Sequence, residues 1–206
     1  VAVAMAALLR SRGEMVAALK PVETGVEAGG VGADASRLAE ASGFHVKHPC
    51  FEFEPPISPH LAARRSRRAV DLETISVWID EHPQPWQIVE TAGGLLSPLS
   101  EAATNLDLAL RLEPSRMVLV APNRLGVLHD VAVCCALLRD RHPALEERTH
   151  VVLSAPAVPD GSTASNAVEL GVVGITDRVV EFPRETPSHE ASVAAAARLL
   201  ASMSLG

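Results

Sequence analysis

The feature that most constrains the fold is a regular alternation of short apolar segments with longer segments of helical periodicity. Strands are predicted where Val, Ile, Leu and Ala run together, at residues 15–19, 86–90, 117–121, 151–154 and 178–182. Helices are predicted from apolar spacings of three and four, at residues 1–12, 34–41, 58–65, 71–82, 104–112, 127–141, 162–171 and 188–203. Strands that alternate with helices pair in parallel through right-handed crossovers. The sequence therefore predicts an α/β fold, a three-layer α/β/α sandwich with a mostly parallel sheet.

We expect a single domain for all 206 residues. No linker, low-complexity segment or internal repeat interrupts the alternation, and the hydrophobic content of 48% and charged content of 21% are typical of a globular protein. A domain of this length buries roughly 70% of the surface that its unfolded chain exposes, which is enough to form a core.

Composition argues against several classes of partner. The net charge of −7 and the aromatic content of 3%, with no tyrosine, disfavour a surface for nucleic acid or for an anionic membrane. No apolar run approaches the ~20 residues of a membrane span, and the first residues do not form a signal peptide. Cys50, Cys134 and Cys135 form no CxxC pair, so we interpret them as reduced thiols of a cytoplasmic protein.

Ligands of parallel α/β sheets bind beyond the carboxyl ends of the strands. The positions that follow or end the predicted strands are Lys20, Glu90, the loop 122–124, Ser154 and the loop that begins at Pro183. Lys20 directly follows an apolar strand, and the proline after it fixes the path of the chain. Either its side chain extends along apolar surface to reach solvent, or its ammonium meets a phosphate or carboxylate. We favour the second interpretation.

Glu90 ends a predicted strand, where a carboxylate is costly unless a cation meets it. That cation is either a side chain in a buried ion pair or a magnesium ion, which prefers one or two carboxylates together with phosphate oxygens and water. Ala92, Gly93 and Gly94 follow, and their small size lets backbone N–H groups approach a phosphate. Asp34 lies at a predicted helix start, so it is either a helix cap or a ligand of a metal or nucleotide.

Motifs of several other enzyme classes are absent from these 206 residues. There is no GxSxG nucleophile elbow, no GxGxxG dinucleotide fingerprint, and none of the eight histidines has metal-binding spacing. The phosphate loop GxxxxGK followed by Ser or Thr is also absent. On the residues alone, His60 and His129 favour a structural role over a catalytic one.

Four segments, in order, resemble those of the dethiobiotin synthetase family. They are residues 19–25 (LKPVETG), 56–63 (PISPHLAA), 90–99 (ETAGGLLSPL) and 123–126 (NRLG). The resemblance implies a P-loop NTPase-like fold and a homodimer. It also implies an ATP-dependent cyclo-ligase of biotin biosynthesis, which converts 7,8-diaminopelargonate, CO₂ and MgATP to dethiobiotin, ADP and phosphate.

The resemblance further predicts an N-terminal truncation. The family's first strand leads into a GTDTxVGKT phosphate loop, and Val1 resembles the apolar residue with which the next helix begins. We therefore expect the first strand and the phosphate loop to be missing and the fragment alone to be inactive. The lost strand would leave unpaired edges in the sheet and lower the solubility.

The resemblance implies roles for four residues near the phosphates. Lys20 is the active-site lysine that holds the carbamate and the γ-phosphate, and Thr24 contacts the substrate. Asp34 and Glu90 are the acidic pair that binds magnesium and the nucleotide.

The remaining implied contacts lie in three other segments. Residues of the phosphate and adenine contacts are Thr91, Ala92, Gly93, Ser154, Ala155, Pro183, Arg184, Glu185 and Glu190. The segment from Gly126 to His129 reaches the substrate of the neighbouring subunit, which places the site at the dimer interface. Three residues depart from the family pattern. Thr91 stands where the commonest pattern has Gly, and His129 stands where the family frequently has Asn. Ser154 stands where many members have an Asn that contacts adenine.

Two other functions remain open on the sequence. One is another P-loop amidoligase of the cobyrinate diamide synthase type, although such enzymes usually carry a glutaminase domain with a nucleophilic cysteine. The other is a non-catalytic partition-type ATPase, which has no use for the segments of residues 19–25 and 56–63.

Overall fold

A computed structural model describes residues 1–203, in which helices alternate with parallel strands. These residues form two compact units, one of residues 2–113 and one of Val1 with the residues from Pro114 onward. We call them the N-terminal and the C-terminal unit and describe each by itself. The predicted α/β fold with parallel strands is confirmed, whereas the single domain stays a prediction.

The N-terminal unit contains two pairs of strands and five helices in its described residues. The strands are β1 (Val16–Leu19), β2 (Val22–Thr24), β3 (Phe51–Phe53) and β4 (Trp86–Val89). The helices are α1 (Ala2–Ser11), α2 (Ala33–Ser42), α3 (Pro59–Ser66), α4 (Leu72–Asp80) and α5 (Asn105–Leu112). β1 pairs in parallel with β4, and β2 pairs in parallel with β3.

Helix ends in this unit follow local sequence signals. α2 ends at Gly43, which has the left-handed conformation that favours glycine. α4 begins after Asp71, whose carboxylate accepts a hydrogen bond of 2.8 Å from the backbone N–H of Thr74. At the start of α5, Thr104 and Asp107 form a reciprocal capping box. The predicted positions of these helices are therefore confirmed to within two residues at each end.

The apolar core of the N-terminal unit lies between the short strands and α3, α4 and α5. Its largest fully buried side chains include Leu19, Val22, Ile75, Leu99 and Leu108. Burial of one such side chain contributes about 1.5–3 kcal/mol. This core anchors β1 and β2, from which the first candidate site residues project.

The C-terminal unit is built around a three-stranded parallel sheet of order β5-β6-β7. The strands are β5 (Met117–Pro122), β6 (Thr149–Ser154) and β7 (Val179–Phe182). The helices are α6 (Val127–Arg141), α7 (Pro143–Glu146), α8 (Asn166–Val172) and α9 (Glu190–Ser202). Every residue of the central strand β6 is buried except Ser154 at its carboxyl end, as expected for a strand covered on both faces.

The structure differs from the sequence-based prediction at several elements. β2 lies in a segment predicted as a loop, and β3 and α7 were not predicted. β4 and β5 are more exposed than the predicted buried strands, with Trp86 41% and Val120 53% exposed. Within residues 1–203, β4 pairs only with β1 and β5 only with β6. In the same residues, no helix combines the length and apolar character that crossing a bilayer requires.

Candidate active site

The side chain of Lys20 lies between two carboxylates in the N-terminal unit. Its ammonium Nζ is 2.9 Å from Glu90 Oε1 and 3.2 Å from Asp34 Oδ2. It also donates a hydrogen bond of 3.2 Å to the backbone carbonyl of Thr91. Lys20 thus contacts two carboxylates that were predicted from separate segments of the sequence.

Burial and charge act in opposite directions on Lys20. Its side chain is only 6% exposed, whereas Asp34 and Glu90 are 45% and 32% exposed. Burial by itself lowers the pKa of the ammonium. The adjacent carboxylates of Glu90 and then Asp34 raise this pKa by more than burial lowers it, so the net pKa lies above its ordinary value. Lys20 is therefore a protonated point charge at neutral pH, and its side chain does not extend to solvent.

Parallel pairing places Lys20 beside Glu90. Leu19 lies opposite Val89 in the register of β1 and β4, and the N–H of Glu90 donates to the carbonyl of Leu19 at 2.9 Å. Both charged residues therefore leave the strands at the same carboxyl edge. Because the strands that hold them are anchored in the core, the ion pair is held by backbone geometry and not only by its own attraction.

Asp34 reaches this edge from α2 and is not the cap of that helix. The N-cap position is Gly32, and Asp34 is the second residue of the first turn. Its carboxylate contacts Lys20 and, at 3.7 Å, Arg37. Of the two roles that the sequence left open for Asp34, the structure does not show the helix cap, and the contact with a metal or nucleotide stays a prediction.

The loop after Glu90 presents backbone donors. Gly93 has a φ of 85°, a left-handed value that glycine adopts readily. The N–H of Gly94 is taken by Ser97 Oγ at 2.9 Å, but in residues 1–203 the N–H groups of Thr91, Ala92 and Gly93 donate to no protein acceptor. Consecutive N–H groups beside a lysine are a feature of anion sites.

Asn105 fixes the shape of this loop and was not found from the sequence. It is 2% exposed, and its side-chain amide donates to the carbonyls of Ala92 at 2.9 Å and Gly94 at 2.8 Å. In the described part of the chain, Asn105 Oδ1 is the only buried side-chain nitrogen or oxygen without a partner. An asparagine at the start of a helix gives no sequence signal for a contact with a loop eleven to thirteen residues earlier.

Thr24 ends β2 and is half-buried. Among residues 1–203, no hydrogen bond joins it to Lys20, Asp34 or Glu90. Its role as a substrate contact therefore stays a prediction.

In the C-terminal unit, a cavity of about 340 Å³ opens near the carboxyl ends of the strands. Of the predicted adenine contacts, Ala155 and Pro183 line it, whereas Ser154, Arg184, Glu185 and Glu190 do not. Residues that line it and were not predicted for it are Asn123, Leu153, Thr163, Glu181, Phe182, Ala191, Ala194 and Arg198. Glu181 and Arg198 give the cavity one group of each charge.

The loop before α6 is held by a buried network of polar side chains. Asn123 and Asn166 are each 3% exposed, and Asn166 Nδ2 donates to Asn123 Oδ1 at 2.8 Å. Gly126 is the N-cap of α6, and His129 is exposed on the first turn of that helix. The structure shows no side-chain partner for His129 within residues 1–203.

The carboxylates of Asp34 and Glu90 fit a magnesium ion. Both are partly exposed and lie against the same ammonium. The described residues contain no cluster of three or more His, Cys, Asp or Glu that could hold a metal by themselves. Two carboxylates, those of Asp34 and Glu90, suit magnesium, which usually takes one or two carboxylates and completes its coordination shell with phosphate oxygens and water.

The amino-acid sequence matches known proteins along most of its length. A family model described as an AAA domain matches residues 1–191. The ATP-dependent dethiobiotin synthetase BioD of Frankia casuarinae is 36% identical over 174 residues, which cover 82% of this chain and 71% of the relative. The protein of the same name from Parafrankia sp. is 33% identical over 173 residues, with the same two coverages. That of Bacillus thuringiensis is 35% identical over 136 residues, which cover 64% and 56%.

Proposed function

The chain belongs to the AAA domain family and to the ATP-dependent dethiobiotin synthetases, and from this premise we propose that it converts 7,8-diaminopelargonate, CO₂ and MgATP to dethiobiotin, ADP and phosphate. The observation that carries the proposal is the position of Lys20. Its ammonium lies against two partly exposed carboxylates and next to a loop whose backbone N–H groups are available to a phosphate.

The proposed reaction crowds negative charges and needs cations more than bases. One amine of the substrate adds to CO₂ and loses a proton to give a carbamate. A carbamate oxygen then attacks the γ-phosphorus, and the bond from this phosphorus to ADP breaks. The second amine attacks the carbonyl carbon of the mixed anhydride, loses a proton, and expels phosphate to close the ureido ring. Each step forms or transfers a negatively charged group, either the carbamate or a phosphate, and a fixed cation beside that group stabilises it.

Lys20 is the fixed cation in this proposal. Its raised pKa keeps it protonated throughout the neutral range, so it acts as a charge and not as a base. Its two carboxylate partners, Asp34 and Glu90, hold the ammonium in place. Both carboxylates remain partly exposed, so the site stays accessible to a ligand. The loop N–H groups of Thr91, Ala92 and Gly93 supply further donors for phosphate oxygens.

Asp34 and Glu90 would hold magnesium, which when bound neutralises charge on the phosphate oxygens. The protein itself contributes the two carboxylates and the ammonium between them. Ala155 and Pro183, which line the cavity of the C-terminal unit, are retained as proposed contacts of the nucleotide base. Ser154, Arg184, Glu185 and Glu190, which do not line this cavity, are also retained as proposed contacts of the nucleotide.

Three further assignments belong to this proposal. Thr24, Gly126 and His129 contact the substrate, the last two across the interface of a homodimer. The protein acts in the cytoplasm, consistent with three unpaired cysteines.

Burial raises the pKa of Cys50 to about 11, which makes this thiol a poor nucleophile at neutral pH.

The test is product formation by the protein expressed from its complete natural reading frame. It is incubated with 7,8-diaminopelargonate, MgATP and ¹³C-bicarbonate, and the products are analysed by mass spectrometry. We expect dethiobiotin with the label in its ureido carbonyl and one ADP for each ring closed. ATP hydrolysis without labelled product would point instead to a partition-type ATPase. Glutamine-dependent amide formation would point to an amidoligase.

A further inference from the structure

Glu23 is a buried carboxylate to which the proposed reaction gives no role. It is the central residue of β2 and is 6% exposed. Both of its oxygens accept hydrogen bonds from backbone N–H groups, Oε1 from Asp34 at 2.8 Å and Oε2 from Ala35 at 3.0 Å. A buried carboxylate is costly unless its oxygens are satisfied in this manner.

The two N–H groups belong to the first turn of α2, where a helix leaves its donors unpaired. The N-cap residue is Gly32, which has no side chain with which to cap them. Glu23 therefore performs the capping from a neighbouring strand. Its negative charge also lies at the positive end of the helix dipole, which is the favourable arrangement.

Gly32 allows this close approach. A Cβ built on Gly32 would overlap the carboxylate of Glu23, so a larger residue there would displace either the carboxylate or the helix. The N–H of Gly32 is in turn accepted by Glu52 Oε1 at 3.2 Å. Glu52 lies opposite Glu23 in the parallel pair of β2 and β3. It contacts the same helix start but not Asp34.

Asp34 connects this arrangement to the candidate site. Its backbone N–H is held by Glu23, while its carboxylate lies 3.2 Å from the ammonium of Lys20. Lys20 and Glu23 are three residues apart on the same short segment. A displacement of α2 relative to β2 would therefore separate Asp34 from Lys20 directly.

We infer that Glu23 is a positioning residue for the metal and phosphate site: it holds the start of α2 so that the carboxylate of Asp34 stays against Lys20. The effect of Glu23 on the metal and phosphate site rests on the proposed function. The placement of α2 by Glu23 rests on the two hydrogen bonds alone.

The experiment compares Glu23→Ala and Glu23→Gln with the control Glu52→Gln in the full natural protein. The alanine variant lacks both acceptor oxygens. The glutamine variant keeps one oxygen, but its NH₂ group replaces the other and cannot accept a hydrogen bond from the second N–H. The first readout is the hydrogen exchange of the Asp34 and Ala35 amides, measured by NMR. We expect faster exchange in Glu23→Ala, partial recovery in Glu23→Gln, and no change at these amides in Glu52→Gln.

The second readout is the affinity for Mn²⁺ in the presence of a non-hydrolysable ATP analogue, measured by electron paramagnetic resonance. Loss of a residue that orients a metal ligand typically weakens binding by about 10-fold or more. We expect that loss in Glu23→Ala and a smaller one in Glu23→Gln. Because Glu23 acts through Asp34, adding Glu23→Gln to Asp34→Asn should cause no further loss.

Two results would overturn the inference. One is unchanged Mn²⁺ affinity in Glu23→Gln and Glu23→Ala, and the other is full additivity with Asp34→Asn, which would mean that Glu23 acts independently of Asp34. If Glu23→Ala does not fold, Glu23→Gln and the double variant still decide the question. A wild-type protein that makes no dethiobiotin would refute the proposed function, while the amide and Mn²⁺ measurements would still test Glu23.

Discussion

Lys20 Nζ and Glu90 Oε1 lie 2.9 Å apart although the two residues are 70 positions apart in the sequence. The contact results from the parallel pairing of β1 with β4, which ends both strands at the same edge. The ammonium is almost fully buried, whereas its partner carboxylate keeps a third of its surface exposed. The pair therefore combines a fixed cation with a carboxylate that remains open to a ligand.

The first prediction concerns stability at alkaline pH. The pKa of Lys20 is raised above its ordinary 10.5, because the carboxylates of Glu90 and Asp34 outweigh the effect of burial. A raised pKa means that the folded state holds the proton more tightly, so this contribution is complete below pH 10.5 and is lost as the pH rises through the folded-state pKa. We expect the free energy of unfolding to fall more steeply above pH 10.5 in the wild type than in Lys20→Met.

Urea denaturation followed by circular dichroism over this pH range measures the difference. Lys47→Met is the matched control, since Lys47 is the only other lysine of the sequence and is exposed. It should keep the steep alkaline dependence of the wild type. Parallel pH profiles for Lys20→Met and the wild type would contradict the assignment.

The second prediction concerns the loop after Glu90. Asn105→Ala removes the donor shared by the carbonyls of Ala92 and Gly94. Because both carbonyls lose a buried partner, we expect a destabilisation of about 1–3 kcal/mol. We also expect weaker nucleotide binding, because the loop no longer holds the N–H groups that we propose as phosphate donors. Calorimetry of unfolding and of nucleotide binding measures the two effects separately.

Thr104→Ala is the control for this loop. It weakens the cap of α5, typically by about 1 kcal/mol, but it leaves Asn105 and both of its hydrogen bonds in place. Stability should fall while nucleotide affinity stays near that of the wild type. Equal losses of nucleotide affinity in Thr104→Ala and Asn105→Ala would mean that the helix start, and not the side-chain amide, controls the loop.

The helices and long strands were predictable because their signals are local. Asp71 before α4 and Gly43 after α2 are residues whose effect depends only on their nearest neighbours in the chain. Lys20 and Glu90 were predicted because the first follows and the second ends a predicted apolar strand, and the carboxyl ends of parallel strands lie at one edge of a sheet. The family resemblance then supplied Asp34, which on the residues alone was equally a helix cap.

The contacts that sequence reasoning missed are those set by tertiary structure. β2 and β3 are three residues long with a glutamate at each centre, so neither an apolar run nor an alternation identifies them. The capping of α2 by Glu23 depends on where β2 lies, and no local pattern encodes it. The same reason accounts for Asn105, and for Arg198, which reaches the cavity from α9.

The third prediction concerns Asp160 in the C-terminal unit. Its pKa is lowered to about 2, first by the hydrogen bond from the Ser162 hydroxyl and then by that from the N–H of Leu125. A lowered pKa means that the contribution to stability is present above the ordinary 3.8 and is lost as the pH falls through about 2. This carboxylate links residues 160–163 to the loop before α6, which carries Gly126.

A ¹³C NMR titration of the Asp160 carboxyl group tests this prediction. We expect a midpoint near 2 in the wild type and a midpoint closer to 3.8 in Ser162→Ala. Ser165→Ala is the control, because the Ser165 hydroxyl donates to the carbonyl of Ser162 and does not contact Asp160. A wild-type midpoint at the ordinary value would show that these hydrogen bonds do not form in solution.

The most direct test of the central claim compares Lys20→Ala with Lys47→Ala in the protein expressed from its complete reading frame. Turnover to dethiobiotin and nucleotide affinity are measured for both variants. Loss of one fixed donor to a developing anion typically costs about 10²–10³ in rate, so Lys20→Ala should lose at least this much activity and bind nucleotide nearly as well as the wild type. Lys47→Ala should retain full activity. Wild-type turnover in Lys20→Ala would contradict the account.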